Sequence, residues 1–173
     1  MVKNIVNSYS YLALLGDIAI IIAVLWFKRL RQIIGPYSYH LAFFLSLIAT
    51  LASLFLSEVA KFQPCILCWY QRIAMYPQPL LYYIALIRKE RVLKPYLLVV
   101  NIIGAGIALY HYLLQVMPKS LFAPCNTDLT GVSVSCVKGY KFYFGFMSFP
   151  LMALTVFVLL IILLSFTKAE KAK

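Results

Sequence analysis

Residues 63–72 read QPCILCWYQR. Two cysteines, Cys65 and Cys68, bracket two apolar residues, and Arg72 follows Cys68 by four positions. Hydrocarbon lies on both sides. Residues of about 40–59 before the motif and about 69–87 after it are apolar runs of the ~20 residues that a membrane-crossing helix needs. A redox-type cysteine pair thus stands at the lip of a membrane span, and the rest of the chain is read outward from it.

The whole composition agrees with a bilayer setting. Of the 173 residues, 64% are hydrophobic, and the mean hydropathy is +0.89. A soluble domain of this length cannot bury that much apolar surface. Five windows qualify as spans, at about 9–27, 40–59, 69–87, 95–116 and 143–166. They leave room for a single small helical bundle and for no soluble domain. The first window ends in WFKRLR with no small-residue cleavage site, so it is expected to be a retained helix rather than a signal peptide.

The net charge of +11 would suit a nucleic-acid binder, but its distribution does not. Lys28, Arg29, Arg31, Arg88, Lys89, Arg91, Lys94, Lys168, Lys171 and Lys173 all fall on one face if the five windows span. The other face receives only Lys3, Lys61, Lys119, Lys138 and Lys141, with Arg72 set aside. This positive-inside bias makes the first face cytoplasmic, with the N-terminus outside and the C-terminus inside. Basicity here reports topology, and no nucleic-acid partner is expected.

That topology delivers Cys65 and Cys68 to the outer face at the end of the second window. The fourth window also runs outward, and the segment after it holds Cys125 and Cys136. All four cysteines therefore fall on the extracytoplasmic, oxidising side. Pro64 is expected to open the next helix with Cys65 in its first turn, where unpaired backbone N–H groups and the helix dipole favour a thiolate. Cys65, Cys68 and Arg72 share one helical face. A permanently charged guanidinium there can stabilise a thiolate or negative charge developing on a bound acceptor.

Cys125 and Cys136 are separated by the polar, turn-rich NTDLTGVSVS. A bridge closing so short a loop stabilises the chain by only ~2–3 kcal/mol. An exposed exchangeable disulfide, open to attack by another protein's thiolate, makes better sense of it. Structural alternatives stand beside these readings. A C-x-x-C can be half a zinc site completed by the second pair, and an arginine near a span end can simply snorkel. No metal is expected.

His111, six residues before Met117, should reach about the depth of Arg72, because the third and fourth spans are antiparallel. Polar groups at that depth point into the bundle or a cavity, and a histidine can supply a hydrogen bond or a proton. Bonding to a neighbouring helix explains it as well. Gln115 lies one turn further out, on the same face. Asp17, mid-way along the first window, is read as a docking group. Pro77 and Pro79 are expected to distort the third span. Tyr140 to Phe146 read as an interfacial anchor.

PCILCWYQRIAMYP, then YHYLLQ, then FGFMSFPLMAL resemble the disulfide-bond formation protein B (DsbB) family, and most closely its short BdbC branch. The likeness runs from about Tyr37 to Thr167. It implies an all-α integral membrane protein: a four-helix transmembrane bundle over residues 36–173, carrying the C-x-x-C and the Cys-pair loop. Residues 1–35 would form one additional N-terminal helix with a basic cytoplasmic loop, a departure from the usual family pattern.

By the same resemblance the activity is that of a protein-disulfide:quinone oxidoreductase in the bacterial cell (inner) membrane. It would reoxidise an extracytoplasmic thioredoxin-fold (DsbA- or BdbD-like) partner and pass the electrons to quinone, either ubiquinone or menaquinone. Carried over by motif, Cys65 and Cys68 are the quinone-coupled pair. Cys125 forms the mixed disulfide with the partner, Cys136 is its mate, and Arg72 and His111 contact the quinone. The nearest rival, a vitamin K epoxide reductase-type enzyme, carries its C-x-x-C after the loop pair, whereas the order here is reversed. A structural or zinc-binding membrane protein is the rival from another class.

Overall fold

A computed structural model of the chain describes residues 2–88, 92–117, 136 and 148–167. Among them every regular element is helical. The helices are α1 (Val2–Leu25), α2 (Phe27–Ile34), α3 (Ser38–Glu58), α4 (Ile66–Met75), α5 (Gln78–Arg88), α6 (Lys94–Val116) and α7 (Phe149–Phe166), with a 3-10 turn at Gly35–Tyr37 between α2 and α3.

Among the described residues, three stretches are long and apolar enough to cross a membrane: Phe27–Glu58, Lys94–Val116 and Phe149–Phe166. The expected third span is divided. Tyr76 still donates its backbone N–H to Arg72 O at 2.8 Å, but Pro77 and Pro79 have no N–H to continue the ladder. The chain restarts as α5, with Leu81 N–H bonding to Pro77 O at 3.1 Å. The proline pair therefore breaks this window into helices of 10 and 11 residues. Tyr140 to Phe146, read as an anchor, lie outside the described residues.

The burial pattern is inverted relative to a water-soluble protein. Ser46, Gln78, Asn101 and Thr155 are buried, while Leu15, Phe44, Leu51, Ile73 and Ile87 are exposed. Large apolar side chains facing outward along successive helices are what a lipid solvent accommodates, and what water would penalise. The amide nitrogens inside are satisfied locally, while the side-chain oxygens of Asn101 and Gln78 find no hydrogen-bond partner among the described residues. Asn101 Nδ2 donates to Leu97 O at 2.7 Å, and Gln78 Nε2 donates to Ala74 O at 3.0 Å.

The core joins α3, α5, α6 and α7, with Tyr82, Leu97, Phe157 and Leu160 fully buried. α6 and α7 approach closely at Gly104, where a Cβ would run into the Phe157 ring. The ends of the bundle differ in character. Phe166 at the end of α7 touches Phe27 at 5.0 Å, and Lys94 Nζ donates to Thr167 O at 2.9 Å. That is the basic end. At the other end Phe149, beginning α7, packs on Phe62 at 5.5 Å, just ahead of the C-x-x-C.

Candidate active site

The approach to the first cysteine pair is set by the end of α3. Lys61 takes a left-handed backbone conformation, φ 58°, which turns the chain back toward the bundle. Cys65 then sits one position earlier than expected. It is the N-cap of α4, with extended dihedrals, and its carbonyl accepts the Trp69 N–H at 3.1 Å. Cys68 occupies the first turn instead.

This changes which sulfur is the more acidic. Cys65 Sγ donates to Cys68 Sγ at 3.6 Å. Both sulfurs precede the apolar window that begins at residue 69. Sharing its proton with Cys68, together with burial, pushes the Cys65 thiol up to about 12. Cys68 is lowered from the ordinary thiol value. The bond from Cys65, the Cys65 backbone N–H and the Arg72 charge together outweigh its own burial. Cys65 does not stand in the first turn as expected: a thiolate is favoured at Cys68 over Cys65, because Cys68 stands in the first helical turn and one turn from Arg72.

Arg72 is held rather than free to wander. Its Nη2 donates to Ser53 O on α3 at 3.4 Å, and its guanidinium lies 5.5 Å from the Trp69 ring centre. His111 on α6 is buried, with Nε2 3.6 Å from Cys65 Sγ and Nδ1 3.3 Å from Gln71 Nε2. Gln71 and Gln115 each bring an amide Nε2 to one ring nitrogen, and the ring Nε2 also faces Cys65. Gln115 lies 3.4 Å from the same Nε2 and donates to Cys136 O at 3.4 Å.

Cys136 is buried, and its sulfur joins Cys65 Sγ and a His111 ring nitrogen in a group whose ligand atoms all lie within 4.8 Å of one another. Sequence reasoning had two pairs meeting on one side of the membrane; here one member of the second pair stands beside the first pair. Cys125 lies outside the described residues. The same three donors could also grip a soft metal ion, so the metal reading carries its own test below.

These groups form the polar end of a cavity of about 380 Å³. Cys65, Cys68, Gln71, Arg72, His111 and Gln115 line that end, and α3, α7 and α1 supply a largely apolar remainder. The volume lies within the range of small-molecule sites. A flat ring bearing polar oxygens fits the donor set, and an apolar tail fits the rest. Gln71 was not singled out from sequence, although a glutamine next to an arginine inside an apolar window was the available signal. The contribution of α1 to the wall had no sequence signal at all.

Sulfur atoms poised for exchange in an all-helical, lipid-facing bundle define a membrane thiol–disulfide oxidoreductase. Comparison with known proteins agrees. The family model "Disulfide bond formation protein DsbB" matches residues 37–167. Disulfide bond formation protein C of Bacillus subtilis (strain 168) is 44% identical over 129 residues, covering 74% of this chain and 90% of that protein. The SPbeta prophage-derived disulfide bond formation protein B of the same strain is 42% identical over 123 residues, 70% of this chain and 79% of the relative. Probable disulfide formation protein C 2 of Bacillus anthracis is 37% identical over 141 residues, 82% of this chain and 97% of the relative. No solved structure gives a significant match. The chain belongs to the DsbB family and is BdbC-like.

Proposed function

We propose that this protein reoxidises an extracytoplasmic thioredoxin-fold protein and delivers the electrons to membrane quinone. The observation that carries the reading is the gathering of the Cys65, Cys68 and Cys136 sulfurs at the polar end of one cavity with Arg72. In this scheme the chain spans the membrane five times, N-out and C-in, with residues 1–35 as an additional unit before the 36–173 bundle. Its cysteines then face the outside of the cell membrane, and the basic loops of the opposite end lie inside.

In this reading the electrons run from the partner through both sulfur couples to quinone. A partner thiolate attacks the Cys125–Cys136 bridge at Cys125, forming a mixed disulfide and releasing Cys136 as the thiolate. The partner's second thiol displaces Cys125, and the partner leaves oxidised with the loop pair reduced. Cys136 then attacks the Cys65–Cys68 bridge at the neighbouring Cys65, releasing Cys68 as the thiolate. Cys125 displaces Cys65 from Cys136, which restores the loop bridge and leaves Cys65 and Cys68 as a dithiol. Quinone supplies the oxidant, taking two electrons and two protons and leaving as quinol. Arg72 stabilises negative charge on Cys68 and on an acceptor oxygen beside it. His111, whose Nε2 faces Cys65 Sγ at 3.6 Å, is placed to move a proton at the cavity's polar end.

The test supplies purified full-length protein in nanodiscs with a reduced thioredoxin-fold protein and either ubiquinone or menaquinone. Stoichiometric loss of quinone with partner disulfide formation is expected. Partner oxidation that proceeds without any quinone being consumed would reject the reading.

A further inference from the structure

The family match begins at residue 37, so α1 lies ahead of the segment that the family model matches. Yet α1 is not a detached anchor. Ala13, Gly16, Asp17 and Ile20 form its half-buried face, while Leu15, Ile18, Ile21 and Ile22 face outward. The docked face packs on α7. Thr155 Oγ1 of α7 donates to Asp17 Oδ1 at 2.6 Å. One residue earlier, a Cβ on Gly16 would stand 2.7 Å from Thr155 Cγ2, so this glycine is what lets the two helices close.

A carboxylate within a span must be paired inside the protein, and an interhelical hydrogen bond pins axial position in a way that sliding apolar contacts do not. The pinned register has a consequence for the cavity. Leu12, Ala13 and Gly16, spaced to share one face, line the same space as Cys68 and Arg72. Thr155, which fixes the register, lines it too.

We propose that α1 is a fixed side wall of the acceptor cavity, and that Leu12, Ala13 and Gly16 determine how bulky an acceptor ring the cavity admits. This deepens the quinone reading and rests on it for the identity of the acceptor. The wall itself rests only on the α1–α7 register and the shared lining. Ala13 is the position where added volume enters the cavity, and Leu15, 61% exposed on the opposite side, is where added volume meets lipid.

The test compares Ala13→Phe, Leu12→Ala and Leu15→Phe with the parent in full-length protein in nanodiscs. Two readouts are taken: the KM for short-tailed ubiquinone and menaquinone during partner oxidation, and the alkylation rate of Cys68 by N-phenylmaleimide in the reduced protein. Ala13→Phe is expected to raise the quinone KM about tenfold or more, most for the naphthoquinone, with the partner KM unchanged. It should also slow Cys68 alkylation by about fivefold. Leu12→Ala should speed that alkylation, and Leu15→Phe should stay within about twofold of the parent on both readouts.

Ala13→Phe behaving like Leu15→Phe on both readouts overturns the wall. If Ala13→Phe fails to fold, Leu12→Ala decides alone, and an unchanged alkylation rate counts against the proposal. If the parent consumes neither quinone, the acceptor reading falls, and the alkylation rates still decide the wall.

Discussion

Replacing Cys136 with serine should disconnect the two sulfur couples. The Cys136 sulfur lies within 4.8 Å of that of Cys65, and one thiol confined to a sphere of that radius is present at a local concentration of ~4 M. A partner thiol attacking Cys65–Cys68 directly from solution at ~10 μM would, at equal intrinsic reactivity, be about 10⁵-fold slower. The assay adds reduced partner to acceptor-depleted membranes carrying the full chain. Acid quenching and a mass-tagging maleimide then score each cysteine pair over time. In the parent, Cys65–Cys68 becomes reduced promptly. In Cys136→Ser the loop holds no bridge for the partner to attack, so the partner stays reduced, and Cys65–Cys68 stays oxidised for at least ~10³-fold longer. Reduction of the C-x-x-C in the variant within about tenfold of the parent rate would refute the claim that Cys136 couples the pairs by proximity.

In the reduced protein Cys68 should be alkylated before Cys65 at neutral pH. Its pKa is lowered from 9.0 while that of Cys65 is raised to about 12, so Cys68 gains thiolate at lower pH. Arg72→Gln should move the Cys68 pH profile upward, and peptide mass spectrometry showing Cys65 modified first would contradict the assignment. Gly104→Ala forces a methyl group into the fully buried Phe157 ring, at a cost of about 1–3 kcal/mol. Thermal inactivation in detergent should show the loss, and Phe157→Leu in the same chain should relieve it; an unchanged midpoint for Gly104→Ala would disprove the close approach. Partner oxidation should survive a zinc chelator. Stoichiometric zinc with unreactive thiols in the purified protein would instead favour a metal role for Cys65, His111 and Cys136.

Much of the site was readable because its chemistry depends on residue type and spacing. The two residues between Cys65 and Cys68, and the helical repeat from Cys68 to Arg72, place those groups together wherever the helix forms. Pro77 and Pro79 announced a break because a missing N–H acts locally. The greater acidity of Cys68 over Cys65 was not readable, since it depends on the helix starting at Ile66 and on the direction of one hydrogen bond. Gln71 acquired meaning only when α6 brought His111 to within 3.3 Å of it.

Membrane embedding, the helical class and the spacing of the C-x-x-C pair were determined by sequence alone, because hydropathy and covalent spacing are properties of short segments. Which groups share a cavity was decided by tertiary structure. Cys136 reaches Cys65 across 71 positions of chain, and Asp17 meets Thr155 across 138. Contacts that distant depend on how helices pack against one another, through a glycine here and a hydrogen bond there, and no local pattern of residues encodes them.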